Sequence, residues 1–287
     1  MLTLKDALAE ARKNRSAVGH FNISDIAGLL AIAGAAMEAR VPVVIGTSEG
    51  EAGFVGYREA VALVHALREE HNHPIFLNAD HTKSLEKVKE AIEAGYDSVI
   101  FDGSHLSFEE NIRLTKSAVI LAKSIDPEVI VEGEIGYIGS SSEVLKEIPK
   151  GASLSPEELT SSEEAKVFAE ETGVDLLAPA VGNVHGIIVA EGFVEKLDIS
   201  RIGEIAKAVN VPLVLHGASG LSGEDIRAAV AAGISLVHVN TELRVAWRKG
   251  MEEALKESPN EVAPYKLYGK AVEEMKQVVR EKLALFG

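Results

Sequence analysis

Eight short apolar runs recur along the chain, and most are followed by a stretch whose apolar residues repeat with helical spacing. Such repeats are typical of parallel sheets covered by helices, and eight strands close a TIM barrel. We therefore predict an α/β fold, a (β/α)8 barrel. Its strands are predicted at residues 17–21, 42–46, 74–79, 98–101, 129–133, 174–179, 211–215 and 235–239. The main alternative, a doubly wound open sheet, lacks its usual Gly-x-Gly-x-x-Gly turn.

The 287 residues are expected to form one domain, because barrels commonly run to about 250 residues as a single unit. Nothing in the middle of the sequence resembles a linker. We predict a single catalytic domain over residues 1–287, with a C-terminal helical extension at about 242–287. The longest irregular stretch, residues 136–159, is predicted to be a lid or binding loop.

Composition excludes several classes of partner and chemistry. The formal net charge of −15 repels nucleic acids and anionic membrane surfaces. Cysteine is absent, so disulfides, thiolate metal ligands and a cysteine nucleophile are ruled out. No apolar stretch approaches the ~20 residues of a membrane span, and the first residues lack the apolar core of a signal peptide. We therefore expect a cytoplasmic protein with neither a nucleic acid nor a membrane partner.

Three histidines stand where predicted strands give way to loops: His81, His185 and His216. In a barrel the loops after the strands converge on the axis, so these imidazoles are predicted to meet. Three protein ligands with an open fourth position are typical of a catalytic zinc site. The alternative is that each histidine only satisfies a hydrogen bond in the core. Asp80 is a candidate acid/base, with a helix N-cap as its alternative role.

Other polar residues occupy the same ends of the predicted strands. Asp102, Glu132 and Glu134 could orient the histidines or hold a second metal position, and salt bridges to lysine are comparably compatible with the sequence. A Schiff-base mechanism is disfavoured, because no lysine lies within the eight predicted strands. The remaining strand-end residues are Asn22, His238, Asn240 and Thr241.

The turn at residues 217–220 is a candidate phosphate site. It leads directly into a predicted helix at 222–232, and backbone N–H groups at helix starts bind phosphate. Barrel enzymes often hold phosphate between the loops after strands seven and eight, which here begin at Gly217 and Asn240. The alternative is that the glycines only permit a tight connection.

Five motifs resemble those of the class II, metal-dependent ketose-bisphosphate aldolases, in that family's order and over nearly the whole chain. The motifs are Asp80-His81, Glu132-Gly133-Glu134-Ile135-Gly136, Gly182-Asn183-Val184-His185-Gly186, His216-Gly217-Ala218-Ser219-Gly220 and Asn240-Thr241-Glu242-Leu243. The resemblance implies a barrel that reversibly cleaves a ketose 1,6-bisphosphate to dihydroxyacetone phosphate and an aldehyde phosphate. Fructose 1,6-bisphosphate is the first expected substrate and tagatose 1,6-bisphosphate the second.

The resemblance also implies a role for each candidate residue. The three histidines would bind a zinc ion that polarises the ketose carbonyl and stabilises the enediolate of dihydroxyacetone phosphate. Asp80 would exchange a proton with the C4 hydroxyl, Glu134 would lie near an alternative metal position, and Asp102 would be a similar outer carboxylate. The implied substrate contacts, with Na⁺ or K⁺ near the phosphate, are Asn22, Gly186, Gly217, Ala218, Ser219, His238, Asn240 and Thr241.

Three departures from the family pattern bear on specificity. The family commonly has asparagine where this chain has His238. Its mobile loop usually carries Gly-Gly followed by acidic residues, one of which handles the C3 proton; here Glu143 is the nearest candidate. A lysine often found shortly after the Gly-x-x-His-Gly histidine is replaced by Ile187, Ile188 and Val189. The departures leave ketose phosphates other than fructose 1,6-bisphosphate open as substrates.

Two other functions stay open. In a barrel metallohydrolase a zinc hydroxide would attack an ester or amide with Asp80 as base, but such enzymes commonly have His-x-His where this chain has His20-Phe21-Asn22. The other is a barrel that binds a sugar phosphate and a metal without turnover.

The sequence does not choose zinc over cobalt, iron or manganese. Because most family members are dimers or tetramers, we expect a homodimer or homotetramer.

Overall fold

The computed structural model describes residues 2–139, 141–193 and 195–287. Its strands are β1 (Val18–Asn22), β2 (Val43–Ser48), β3 (Ile75–Thr82), β4 (Ser98–Phe101), β5 (Ile130–Ile135), β6 (Val144–Leu145), β7 (Leu176–Pro179), β8 (Ile187–Ile188), β9 (Leu213–Leu215) and β10 (Ile234–Val239). Eight of these close a parallel barrel in the order β1-β10-β9-β7-β5-β4-β3-β2, while β6 and β8 form a separate two-stranded sheet. The predicted (β/α)8 barrel and its eight strands are confirmed.

Helices surround the barrel and follow local end signals. They are α1 (Leu4–Asn14), α2 (Ile26–Ala39), α3 (Glu49–Val55), α4 (Tyr57–His71), α5 (Leu85–Ala94), α6 (Phe108–Ile125), α7 (Ser162–Thr172), α8 (Ile199–Ala208), α9 (Gly223–Ala232), α10 (Thr241–Glu257) and α11 (Pro264–Leu283). Helix α5 is representative, since the Ser84 side chain accepts the N–H of Lys87 and Gly95 ends the helix in the left-handed conformation. Across the described residues, no helix has both the length and the apolar character needed to cross a membrane.

The barrel interior changes from apolar to polar along the strands. At the amino ends, Leu4 and Leu8 of α1 cover a buried layer made of Val18, Val44, Phe76, Ile130, Leu176, Val214 and Leu236. Because alternate strand residues face the same side, the next inward position lies two residues on. On four strands, and directly after β9, that position holds a buried polar side chain, namely His20, Asn78, Glu132, His238 and, after β9, His216. The interior therefore offers a polar layer directly beneath the carboxyl-end rim.

The C-terminal helices α10 and α11 pack against each other, and α11 also packs against α2. Gly250 of α10 lies where the two helices approach most closely, because a Cβ added there would be 2.5 Å from the Cα of Ala271. The predicted extension from about residue 242 corresponds to these two helices.

Replacing Gly250 with alanine should force α10 and α11 apart. We expect the free energy of unfolding to fall by about 1–3 kcal/mol, the usual cost of overpacking. Gly269→Ala is the matched control, since Gly269 lies exposed on α11 and its added Cβ would meet no described residue within 4 Å. That control should gain roughly 0.5–1 kcal/mol from helix propensity. Urea unfolding followed by circular dichroism measures both, and equal stability of the two variants would contradict the close approach.

Candidate metal centre

The imidazoles of His81, His185 and His216 meet at the carboxyl-end rim of the barrel. Their ring centroids are 4.7, 4.9 and 5.7 Å apart, and the three planes are close to mutually perpendicular. One nitrogen from each ring and one carboxylate oxygen of Glu134 all lie within 4.8 Å of one another. The structure thus brings together the three histidines that the sequence singles out, at a spacing that one divalent cation can bridge.

Outer carboxylates determine which nitrogen two of these rings present. Nδ1 of His81 lies 3.0 Å from Oδ2 of Asp102, and Nε2 of His216 lies 2.7 Å from Oε1 of Glu132. The remaining nitrogens, Nε2 of His81 and Nδ1 of His216, face each other at 3.1 Å. Nε2 of His185 is buried without a hydrogen-bond partner in the described chain. Carboxylates behind imidazoles in this way are typical of metal sites, where they hold the ligand tautomer.

A local backbone irregularity turns Asp80 and His81 into the same site. The sequence predicts that the third strand ends at residue 79, but β3 continues to Thr82 with a register shift against β4 after Ala79. At the shift, His81 adopts a φ of 53°, which non-glycine residues rarely do. Such strain costs of order 1–3 kcal/mol and is concentrated at functional sites. Here the strained backbone at His81 lets Asp80 and His81 face the same site, although neighbouring residues of a strand normally point to opposite faces.

Asp80 lies beside the three histidine rings but is not part of the cluster of four ligand atoms that the histidines and Glu134 form. Its Oδ2 accepts a hydrogen bond of 2.9 Å from Nδ2 of Asn22, and its Oδ1 is 3.8 Å from Nε2 of His81. The N-cap of the following helix is Ser84, so the alternative role of Asp80 as a helix cap is not what the structure displays. Its carboxylate is therefore available for chemistry.

The electrostatics of the site favour positive charge. Burial lowers the pKa of His81, but the charge of Asp80, the bond to Asp102 and the charge of Glu134 together raise it to about 10. Burial, together with the charge of His81, lowers the pKa of His216 to about 3. Burial and the charge of Asp102 raise the pKa of Glu134 well above its usual range. A divalent cation would relieve the repulsion among these carboxylates.

A cavity of about 390 Å³ opens above His81 and His185, within the size range of small-molecule sites. Its lining includes the cationic side chains of Lys83 and Arg244 and the anionic side chains of Glu49 and Glu143. The other lining residues are Ser48, Gly50, Asp80, Asp102, Ser141, Ser142 and Asn240. Glu143 is exposed at this cavity, and its backbone carbonyl accepts the N–H of Ile187 at 2.9 Å.

A smaller adjoining cavity contains most of the predicted substrate contacts. Its lining includes Asn22, Gly186, Gly217, Ser219, His238, Asn240 and Thr241. Gly217 has a φ of 64° and packs against the carbonyl of Val184, so a Cβ cannot be accommodated there. Ala218 is buried, and its N–H donates to the carbonyl of His238 at 3.2 Å. That N–H is therefore engaged within the chain, and the phosphate contact that the family resemblance implies for Ala218 stays a prediction.

Two residues that sequence reasoning missed connect the cavities. Glu51 is buried and accepts hydrogen bonds from Nδ2 of Asn22 at 2.9 Å and from Nη2 of Arg244 at 2.6 Å. Arg244 also donates from Nη1 to the carbonyl of Ser142 at 3.1 Å. Arg244 lies one helical turn beyond Asn240. A search that included the first helical turn after each strand, as well as the strand ends, would have identified it. Glu51 lies in α3, a helix that the sequence did not predict.

Comparison with known proteins agrees with this geometry. A family profile described as "Fructose-bisphosphate aldolase class-II" matches residues 2–287. Fructose-bisphosphate aldolases of Geobacillus stearothermophilus and Staphylococcus epidermidis are each 36% identical over 290 residues, which cover 100% of this chain and 97% of the relative. The crystal structure of the YdjI aldolase from Escherichia coli K12 has a TM-score of 0.83 at 32% identity and covers 100% of this chain and 98% of that one. The chain therefore belongs to the class II fructose-bisphosphate aldolase family.

Proposed function

We propose that the chain catalyses the reversible aldol cleavage of a ketose 1,6-bisphosphate, with fructose 1,6-bisphosphate as its first substrate and zinc as its resident ion. The products are dihydroxyacetone phosphate and an aldehyde phosphate. The observation that carries the proposal is the convergence of three imidazoles, two of them backed by carboxylates, beside the carboxylate of Asp80. Metal dependence is general in this family.

The donor atoms fit a divalent ion. His185 offers a buried Nε2 without a partner, and the bonds to Asp102 and Glu132 leave Nε2 of His81 and Nδ1 of His216 for coordination. Three imidazole donors in near-perpendicular planes suit zinc. When bound, the ion supplies Lewis acidity that polarises the ketose carbonyl and stabilises the developing negative charge.

Asp80 is proposed to move the proton at C4. Burial raises the pKa of Asp80, but the charge of His81, the contact with His238 and the charges of His20 and His238 together outweigh burial and hold the pKa well below its usual value, so the residue is a carboxylate at neutral pH. The bond from Asn22 fixes its orientation. In cleavage Asp80 takes the proton of the C4 hydroxyl as the C3–C4 bond breaks, and in synthesis it returns that proton. Glu143 is proposed for the C3 proton, which requires its loop to close over the cavity.

We assign the two phosphates of the proposed substrate to two places along these adjoining cavities. One would bind at Gly217 and Ser219, next to Asn240 and Thr241 at the start of α10, where the cavity of about 20 Å³ has to widen to admit it. The other would lie near the cationic groups of Lys83 and Arg244 in the larger cavity.

Tagatose 1,6-bisphosphate or another ketose phosphate is the second candidate, because His238 stands in the cavity wall where the family commonly has asparagine. A longer, flat imidazole changes which hydroxyl configuration fits there. The cytoplasmic location and the homo-oligomeric state stay predictions from the sequence.

The first test is cleavage of fructose 1,6-bisphosphate by zinc-loaded protein, with triose phosphate measured by a coupled assay. Chelation should abolish turnover, and Asp80→Ala should lower kcat by about 100-fold or more, the scale expected for loss of an acid/base. Metal content, measured by plasma emission, should stay at the wild-type level in Asp80→Ala. Turnover that survives chelation contradicts the proposal, and ester hydrolysis or ligand binding without cleavage would favour the two other functions.

Removing the carboxylate behind His81 should weaken metal binding. We expect Asp102→Asn to raise the dissociation constant for zinc by about 10- to 100-fold, because the bond that orients the imidazole is weakened. Competition with a chromogenic chelator measures the constant. Glu90→Gln, an exposed carboxylate on α5, is the control and should bind zinc like the wild type. Equal affinities of the two variants would show that Asp102 does not support the ligand.

Neutralising Arg244 should affect substrates that carry a second phosphate. Loss of a hydrogen bond to a charged group is worth roughly 1.5–3 kcal/mol, so Arg244→Met should lower kcat/KM for fructose 1,6-bisphosphate by about 10- to 150-fold. The decrease for fructose 1-phosphate should be much smaller. Arg248→Met, an exposed arginine on the same helix, is the matched control. The same decrease in kcat/KM for both substrates would show that Arg244 does not bind the second phosphate.

A further inference from the structure

His238 lies buried between two other imidazoles. The His20 ring stacks on one side at 3.5 Å between centroids with planes 3° apart, and the His216 ring stacks at 4.0 Å with planes 24° apart. All three rings are buried. A ring held between two others cannot tilt, so the direction of its two nitrogens is fixed by packing.

The nitrogens of His238 point toward two different carboxylates. Nδ1 is 3.5 Å from Oδ1 of Asp80, and Nε2 is 4.0 Å from Oε2 of Glu132. These four atoms are buried, and none has a hydrogen-bond partner among the residues that the structure describes. An unsatisfied buried polar group destabilises a fold, so a fold that retains four of them together indicates a contact that closes in the working enzyme.

The second oxygen of each carboxylate is already engaged at the active site. Oδ2 of Asp80 accepts from Asn22 at 2.9 Å, and Oε1 of Glu132 lies 2.7 Å from Nε2 of His216. His238 thus lies between Asp80 and Glu132, and Glu132 in turn contacts His216. In this row of four described residues, the two contacts of His238 are the long ones.

We propose that His238 is a positioning residue that joins the acid/base Asp80 to the proposed metal ligand His216 through Glu132. The inference rests on the proposed function of this site. Both contacts of His238 are long here, and catalytic hydrogen bonds are often long without substrate and shorten when it binds. The role of His238 is to hold the carboxylate of Asp80 at one angle to the metal ligands.

One arrangement of protons satisfies the whole row. On shortening, Nδ1–H of His238 would donate to Oδ1 of Asp80, and Nε2 of His238 would share one proton with Oε2 of Glu132. Nε2–H of His216 donates to Oε1 of Glu132, which leaves the Nδ1 lone pair of His216 for a metal ion. A carboxylate oxygen has two acceptor sites, so Asp80 can still receive the substrate proton.

His20 and Gly46 support the same arrangement. Neither nitrogen of His20 has a hydrogen-bond partner in the described chain, so what His20 contributes to His238 is the face of its ring. A Cβ on Gly46 would collide with Cε1 and Nε2 of His20. Gly46 therefore makes the space that the stack requires.

Two amide substitutions separate the two contacts of His238. The Nδ2 of asparagine lies close to where histidine has Nδ1, and the Nε2 of glutamine lies close to where histidine has Nε2. His238→Asn therefore retains a donor toward Asp80, and His238→Gln retains a polar group toward Glu132. His71→Asn, an exposed histidine at the end of α4, controls for the loss of an imidazole elsewhere.

The measurements are kcat and KM for fructose 1,6-bisphosphate at saturating zinc and the dissociation constant for zinc. We expect kcat of His238→Gln to fall about 10- to 100-fold below that of His238→Asn, since misplacement of a reacting group by about 1 Å has that effect. Zinc should dissociate from His238→Asn with a constant about 10-fold higher than from His238→Gln, because Glu132 then orients His216 less well. His20→Ala should lower kcat in the same sense as His238→Gln.

Several outcomes overturn the inference. If the two amide variants lose kcat and zinc affinity to the same extent, or if only KM changes, His238 only contacts the substrate or only fills space, and it does not link the two carboxylates. If the wild type cleaves no ketose bisphosphate, the proposed function fails, while the zinc affinities of the two variants still test the contact with Glu132. Urea unfolding verifies that each variant is folded.

Discussion

Closure of a parallel barrel is the constraint on which the site depends. Because all eight strands run in one direction, their carboxyl ends meet at one rim, and residues far apart in sequence become neighbours. Nδ1 of His216 and Nε2 of His81 are 3.1 Å apart although 135 positions separate them in the chain. Helix α1 seals the opposite end with apolar side chains, so the interior can become polar only toward the rim.

That polar layer opposes stability and is tolerated because its members contact one another. Glu132, Glu134 and Asp80 are buried carboxylates, and an isolated buried charge would shift its protonation or unfold the barrel. Each therefore lies against an imidazole, and His81 is held in a strained backbone conformation to complete the set. Local rules of stability are typically broken in this way at functional sites.

Much of the barrel could be predicted from sequence because each strand is an apolar run with its own boundary signals. The three histidines could be predicted because they lie at the ends of such runs or in the loop that follows. The register shift that turns His81 has no marker in the sequence, and pairs as short as β6 and β8 leave no periodicity. Glu51 depends on tertiary placement, since only the packing of α3 brings its carboxylate to Asn22 and Arg244. Helix α1 could not be predicted from the repeat, because it precedes the first strand and so lies outside the alternation of strand and helix.

The short strand pair also alters how an anionic substrate can be held. Where the family often has a lysine, Ile187 and Ile188 form β8, and Ile187 donates its N–H to the carbonyl of Glu143. A charged contact is thereby exchanged for a backbone tether that ties the loop at 136–159 to the segment after His185. With a net charge of −15 and with Lys83 and Arg244 as the cationic side chains in the lining of the larger cavity, the rest of the attraction for a bisphosphate must come from backbone N–H groups and a bound cation. Metal binding and substrate binding are therefore expected to be coupled more strongly here than in a relative that retains the lysine.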